Sequence, residues 1–99
     1  MVGALRWPWT FNMKLQLLVS KWCPTCPTAE KVWSEAASRE HLTLDVLDVG
    51  QPDGRRIAVD LGIRTVPAMV VDGKLRALGT CTVGQALELL HQATAGQQS

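Results

Sequence analysis

The chain of 99 residues has little of what marks a secreted, membrane-spanning or nucleic-acid-binding protein. Three cysteines are too few for a disulfide-stapled secreted scaffold of this length, and the number is odd. Formal net charge is only +1, with no basic run and no interleaving of aromatic with basic residues, so a nucleic-acid role has no support. The longest apolar stretches fall far short of the roughly 20 residues needed to cross a bilayer. Met1-Val-Gly-Ala-Leu-Arg6 carries neither the charged start nor the long apolar core of a secretory signal. Repeats are absent. At this length, 46% hydrophobic and 19% charged residues describe one ordinary globular core.

Aromatic residues are scarce, and three of the five lie in the first 12 residues: Trp7, Trp9 and Phe11. That segment stands outside the core pattern, and Met13-Lys14-Leu15 reads as the start of a first strand. Residues 1–12 are therefore expected to be a flexible extension, for which an upstream start codon is one origin. The alternative is an apolar flap or docking segment, because clustered exposed aromatics mark contacts. The folded unit is expected over residues 13–92, and the small polar tail over 93–99 is expected to fray.

Leu15-Gln16-Leu17-Leu18-Val19 has the length and apolar content of a buried strand. A helix follows from about Pro24 to Arg39, with Ala29, Val32, Trp33, Ala36 and Ala37 on one face. Leu42 to Asp48 reads as a second strand. The two strands and the helix between them make a parallel βαβ unit. The cluster from Gly50 to Gly54 marks a turn, and Arg55 to Leu61 forms two helical turns stopped by Gly62. Ala68–Val71 and Lys74–Leu78 flank Asp72-Gly73, a strong hairpin signal. Thr82 caps a last helix. The order β-α-β-α-β-β-α predicts an α/β fold: a four-stranded mixed sheet with helices on both faces.

The chemistry concentrates at Trp22-Cys23-Pro24-Thr25-Cys26, between the first strand and the first helix. Two thiols separated by two residues can form and break a disulfide with little movement. At a helix N-cap or first turn, unpaired N–H groups and the helix dipole would hold Cys23 as the attacking thiolate. Such sites lower a thiol from about 8.5 into roughly the 3.5–7.5 range, and Lys21 could add to the effect. Cys26, one turn in, would be the resolving thiol. Zinc uses the same spacing but takes about four ligands, and beyond the pair only Cys81, His41 and His91 are available. No metal is expected. Cys81 reads as a small buried hydrophobe or a regulatory thiol, and both histidines as surface residues. Trp22 reads as a shield and docking surface for the sulfur, or as packing against the helix. Pro27 lacks the N–H that would bond to the Cys23 carbonyl, so a modified first turn is expected.

These residues resemble the thioredoxin–glutaredoxin superfamily over roughly residues 13–91. The resemblance is carried by the Cys23/Cys26 run, by Gly62-Ile63-Arg64-Thr65-Val66-Pro67, and by Val71-Asp72-Gly73 leading to Gly79. The Gly-Ile-Arg-x-aliphatic-Pro run is similar to the thioredoxin segment that carries a cis-proline, and the proline between the cysteines is similar to glutaredoxin. The Cys-Pro-x-Cys-Pro run, which ends at Pro27, resembles the active-site segment of archaeal protein disulfide oxidoreductases. Its Cys-x-x-Cys-Pro part is similar to the N-terminal domain of the alkyl hydroperoxide reductase flavoprotein. Two features depart from these patterns. Leu17 stands where thioredoxins carry a buried Asp, and Gly79-Thr80-Cys81-Thr82 has one Gly and no acid where glutaredoxins grip glutathione.

The resemblance implies a thioredoxin fold and a cis Val66–Pro67 bond that exposes the Val66 backbone to a substrate peptide and keeps metals off the thiols. It implies thiol–disulfide exchange by Cys23 and Cys26, with Trp22, Pro24, Thr25, Val66 and Pro67 at the substrate. No bound cofactor is expected. The Cys23–Cys26 disulfide would be reduced by a flavoprotein such as a thioredoxin reductase, or by glutathione. The expected partners are disulfide-containing proteins, with no nucleic acid and no membrane, and the chain is expected to be a cytoplasmic monomer. A disulfide oxidase or isomerase in an oxidising compartment, and a redox-sensing or docking module, are the alternatives.

Overall fold

Four short strands and three helices alternate along residues 14–98 of the computed structural model, with side chains described as far as Gln92. The extension expected over residues 1–12 lies outside the described residues. In order, the elements are β1 (Leu15–Val19), α1 (Cys26–Arg39), β2 (Leu44–Asp48), α2 (Pro52–Leu61), β3 (Ala68–Val71), β4 (Lys74–Leu78) and α3 (Val83–Gln98). The sheet order is β2-β1-β3-β4. β1 runs parallel to β2, with Leu17 opposite Val46, and antiparallel to β3, with Leu17 opposite Met69. The mixed four-stranded sheet is the one the pattern predicts.

Strand side chains alternate between faces, and both faces of the two central strands are apolar. Leu15, Leu17, Met69 and Val71 point to one side, where Ala29, Trp33, Ala36 and Ala37 of α1 and Ala86 and Leu90 of α3 cover them. Leu18, Ala68 and Val70 point to the other, against Ile57, Ala58 and Leu61 of α2. Two helices thus pack on one face and one on the other. Trp33 is among the largest fully buried side chains, and the alanines around it leave room for its ring.

Helix ends carry most of the differences from expectation. β2 starts at Leu44, not Leu42, because the chain first closes α1: His41 takes a left-handed φ of 57° and the Leu42 N–H donates to the Ala37 carbonyl at 2.8 Å. α2 starts at Pro52, three residues earlier than expected, since proline fits a first turn. Gly54 is buried there, and a Cβ on it would lie 2.3 Å from the Asp48 carbonyl oxygen. This glycine lets α2 sit against the end of β2. Gly62 closes α2 at φ 66°, as expected. Asp72 and Gly73 both have positive φ, 50° and 82°, the two-residue hairpin that the dipeptide predicts. Thr82 and Gln85 bond reciprocally at the start of α3, each backbone N–H donating to the other's side-chain oxygen. The α3 backbone runs to Gln98, past Ala93 where composition sets the start of a frayed tail.

Candidate active site

β1 ends at Val19, and six residues carry the chain from there to the first residue of α1. In that turn the Cys23 N–H donates to the Ser20 carbonyl at 3.2 Å, and the Cys26 N–H donates to the Cys23 carbonyl at 3.4 Å. The helix N-cap is Thr25. Cys23 therefore stands two residues ahead of the cap, not at the cap or in the first turn. Pro27 is the reason. A helix running from Pro24 needs an N–H at position 27 to meet the Cys23 carbonyl, and proline has none. The Cys26 N–H meets it in a tighter turn instead.

The cap residue itself behaves unusually. Thr25 makes no side-chain cap bond to the helix; its hydroxyl lies 3.5 Å from the Cys23 Sγ. The Cys23 thiol is held below its ordinary range, first by the hydrogen bond from the Cys26 thiol and next by the Thr25 hydroxyl. Burial opposes the shift, and the backbone groups of Thr25 and Cys26 add smaller contributions in favour. Lys21, fully outside this set, is not among the causes. Side-chain donors, more than the helix start, stabilise the anion.

Cys26 is the opposite case. It is 4% exposed, and burial, followed by the neighbouring Cys23 sulfur, pushes its thiol up to about 11. Among the described residues no polar or charged side chain is buried, and Leu17 is a fully buried part of the core. Among the described residues no acid is buried beneath the second thiol, and the acid that acts on it is Glu30, whose charge adds a small push upward.

The second segment is the one that leads into β3. Val66–Pro67 is cis, as the resemblance implies, and Pro67 is fully buried. The Cys23 thiol faces the Val66 carbonyl at 3.7 Å. The Gly79 N–H, at a left-handed φ of 80°, donates to the Pro67 carbonyl at 2.8 Å and ties the end of the hairpin to this loop. Trp22 is 88% exposed, so its indole is not packed against α1 and stands free next in the chain to Cys23. Pro24 and Thr25 are exposed on the same turn. The fold thus brings Cys23, Cys26, Thr25, Val66 and Pro67 together, with Trp22 and Pro24 as chain neighbours of Cys23.

Outlying residues separate from this group. Cys81 is half-buried against the core under α1 and α3, and burial pushes its thiol up. That is the packing reading of this cysteine. His41 and His91 are exposed, His91 3.2 Å from the Glu40 carboxylate. Among the described residues no three His, Cys, Asp or Glu side chains converge as a metal site, and no helix is long and apolar enough to cross a membrane. Two features escaped the sequence. The resemblance places Thr25 at the substrate, and nothing in the string marks its hydroxyl as a partner for sulfur or the residue as the helix N-cap. Gly79 was visible as a glycine but not as the anchor of Pro67.

The family model described as thioredoxin domain matches residues 13–91. A probable thioredoxin of Archaeoglobus fulgidus is 36% identical over 84 residues, covering 85% of this chain and 92% of its own. The thioredoxin of Methanocaldococcus jannaschii is 28% identical over 81 residues, 82% of this chain and 95% of its own. Among solved structures, chloroplastic thioredoxin z superimposes with a TM-score of 0.70 over 86% of this chain and 80% of its own. At 20% identity that likeness speaks for the fold alone.

Proposed function

The chain belongs to the thioredoxin family, a thiol–disulfide oxidoreductase by its fold and relatives, and from that premise we propose that it works as a reductase of protein disulfides. The observation that carries this reading is the contrast between the two thiols: Cys23 lowered and accessible, Cys26 buried and raised to about 11.

The reaction follows from that contrast. The Cys23 thiolate attacks one sulfur of a substrate disulfide; the substrate S–S bond breaks, and the departing sulfur takes up a proton as a thiol. Cys26, protected until then, loses its proton and attacks Cys23 in the mixed disulfide. The second substrate thiol leaves, and Cys23–Cys26 remains as a disulfide. Two electrons and two protons pass to the substrate. A dithiol donor or flavoprotein reductase restores the pair, so no bound cofactor is needed. The lack of an acid after Gly79 favours a protein reductase over glutathione as that donor. Thr25 steadies the attacking sulfur. Val66 offers its backbone to a substrate chain, and Trp22 and Pro24 give that chain an apolar surface beside the sulfur. With three cysteines and one close pair, the reducing cytoplasm is the compartment this chemistry fits, and the unit would act as a monomer.

Reduction of insulin disulfides by the full chain, fed by dithiothreitol, tests the reading. Cys23→Ser should abolish turnover, and Cys26→Ser should accumulate covalent mixed disulfides with substrate. Full turnover by Cys23→Ser would overturn it. A redox titration fixes direction: a potential near −270 mV supports a reductase, and one at or above about −180 mV an oxidase or isomerase.

A further inference from the structure

A cavity of about 290 Å³ lies between α2 and the segment leading to the cis peptide. Arg55 and Arg64 line it, together with the apolar side chains of Val49, Ala58, Val59 and Ile63. Both arginines are exposed, and among the described residues neither has a carboxylate within ion-pair distance. Of the acids nearby, Asp53 faces Arg56 at 3.6 Å and the Asp48 carboxylate accepts from the Gly50 N–H at 2.7 Å. Asp60 lines the adjoining hollow along α2, which Arg55 and Arg56 also line, without coming within ion-pair distance of Arg55. In a chain whose net charge is only +1, two arginines without a carboxylate partner line one cleft.

The cleft is close to the chemistry. Arg64 is two residues before Val66, whose carbonyl is 3.7 Å from the Cys23 Sγ. Two residues of chain span at most about 7 Å. A substrate strand advances about 3.3 Å per residue. If its cysteine is held at Cys23 and its backbone runs along Val66, a side chain two or three positions away comes over Arg64.

We propose that this cleft selects substrates, taking Asp or Glu side chains that flank the target disulfide, so that acidic segments are the preferred substrates. The inference rests on the reductase reading above and names its substrate class. A planar guanidinium matches a carboxylate in a two-bond fork, and the apolar lining accepts the acid's methylene stem while thinning the water around the pair. Charge of this kind acts on encounter rate and partner choice more than on total affinity, and salt weakens it.

The test uses pre-reduced full-length protein and peptides carrying one disulfide, identical except for Glu, Gln or Lys two and three residues from the cysteine. Single-turnover rate constants are read by acid quench. In low salt the Glu peptide should react about three- to tenfold faster than the Lys peptide, a ratio that salt of about 0.5 M brings near one. Arg55→Gln/Arg64→Gln should bring the ratio near one at low salt, and Arg55→Glu/Arg64→Glu should invert it. A general loss of activity does not move this ratio. Equal rates for all three peptides, or a preference that survives the Gln double variant, overturn the inference while leaving the reductase intact. Failure of the wild-type protein to react with the peptides and with neutral dithiodipyridine would overturn the reductase reading and this inference with it.

Discussion

At the scale of single residues, the site works by setting two chemically identical side chains in unlike surroundings. Cys23 collects hydrogen bonds that favour its anion, and Cys26 is shut away from water. Removing a donor from an anion raises its pKa. The pH profile of iodoacetamide alkylation at Cys23 should therefore shift upward in Cys26→Ala, and by less in Thr25→Val, matching the order of the two causes. An unshifted profile in both variants would show that the backbone alone holds the thiolate. Trp22 gives a second test at this scale. Its ring is 88% exposed, so Trp22→Ala should leave folding stability within about 0.5 kcal/mol. An indole that meets the substrate chain commonly contributes more than about 1 kcal/mol, so the KM for a protein substrate should rise about fivefold or more. Thr25 and Trp22 also mark where residue reading was weakest. The Thr25 hydroxyl finds its partner only two residues away, but which way it turns, and how exposed the Trp22 indole is, depend on three-dimensional surroundings that the string does not show.

At the scale of elements, boundaries depend on how one element's end meets another. Gly54→Ala separates two opposed effects. Alanine improves an exposed helix by about 1 kcal/mol over glycine, but here its methyl carbon would meet the Asp48 carbonyl at 2.3 Å. Backbone cannot swing aside as a side chain can. A net loss of about 1–3 kcal/mol by urea unfolding is expected, and a gain would mean that α2 can slide off β2. Thr82→Ala removes half of the reciprocal cap on α3 and should cost about 1 kcal/mol. The Thr82 cap, the Asp72-Gly73 turn and the stop at Gly62 were legible because each is a local backbone problem with few solutions. The starts of α1, β2 and α2 were not. Pro27 and the closure of α1 through Leu42 moved the first two, and Pro52 moved the third, in a helix whose contact with β2 at Gly54 is a packing event between elements.

At the scale of the whole molecule, the redox state of the pair should set how stability varies with pH. Cys26 is raised from an ordinary 9.0 to about 11 in the folded state. That contribution is complete below pH 9 and falls away as pH climbs to 11, since only the unfolded chain ionises freely there. Cys23, lowered on folding, contributes in the other sense: its stabilisation is present above pH 9 and lost as pH falls through its folded value. Relative to the disulfide form, which has no thiols to titrate at the pair, the dithiol form should be at its most stable near pH 9. Urea melts of both forms from pH 6 to 11 check this, and a difference independent of pH would refute it. By itself, the sequence determined the α/β plan, the two-faced apolar strands, the hairpin and the dithiol, because periodicity, turn chemistry and a Cys-x-x-Cys spacing are properties of contiguous chain. Only tertiary structure decided that Trp22 stands exposed, that Cys26 is shut away from water, that the Cys23 thiol faces the Val66 carbonyl, that Gly79 holds Pro67 and that Arg55 and Arg64 share one cleft. Each of those depends on how elements pack against one another, and on how much water is left between them.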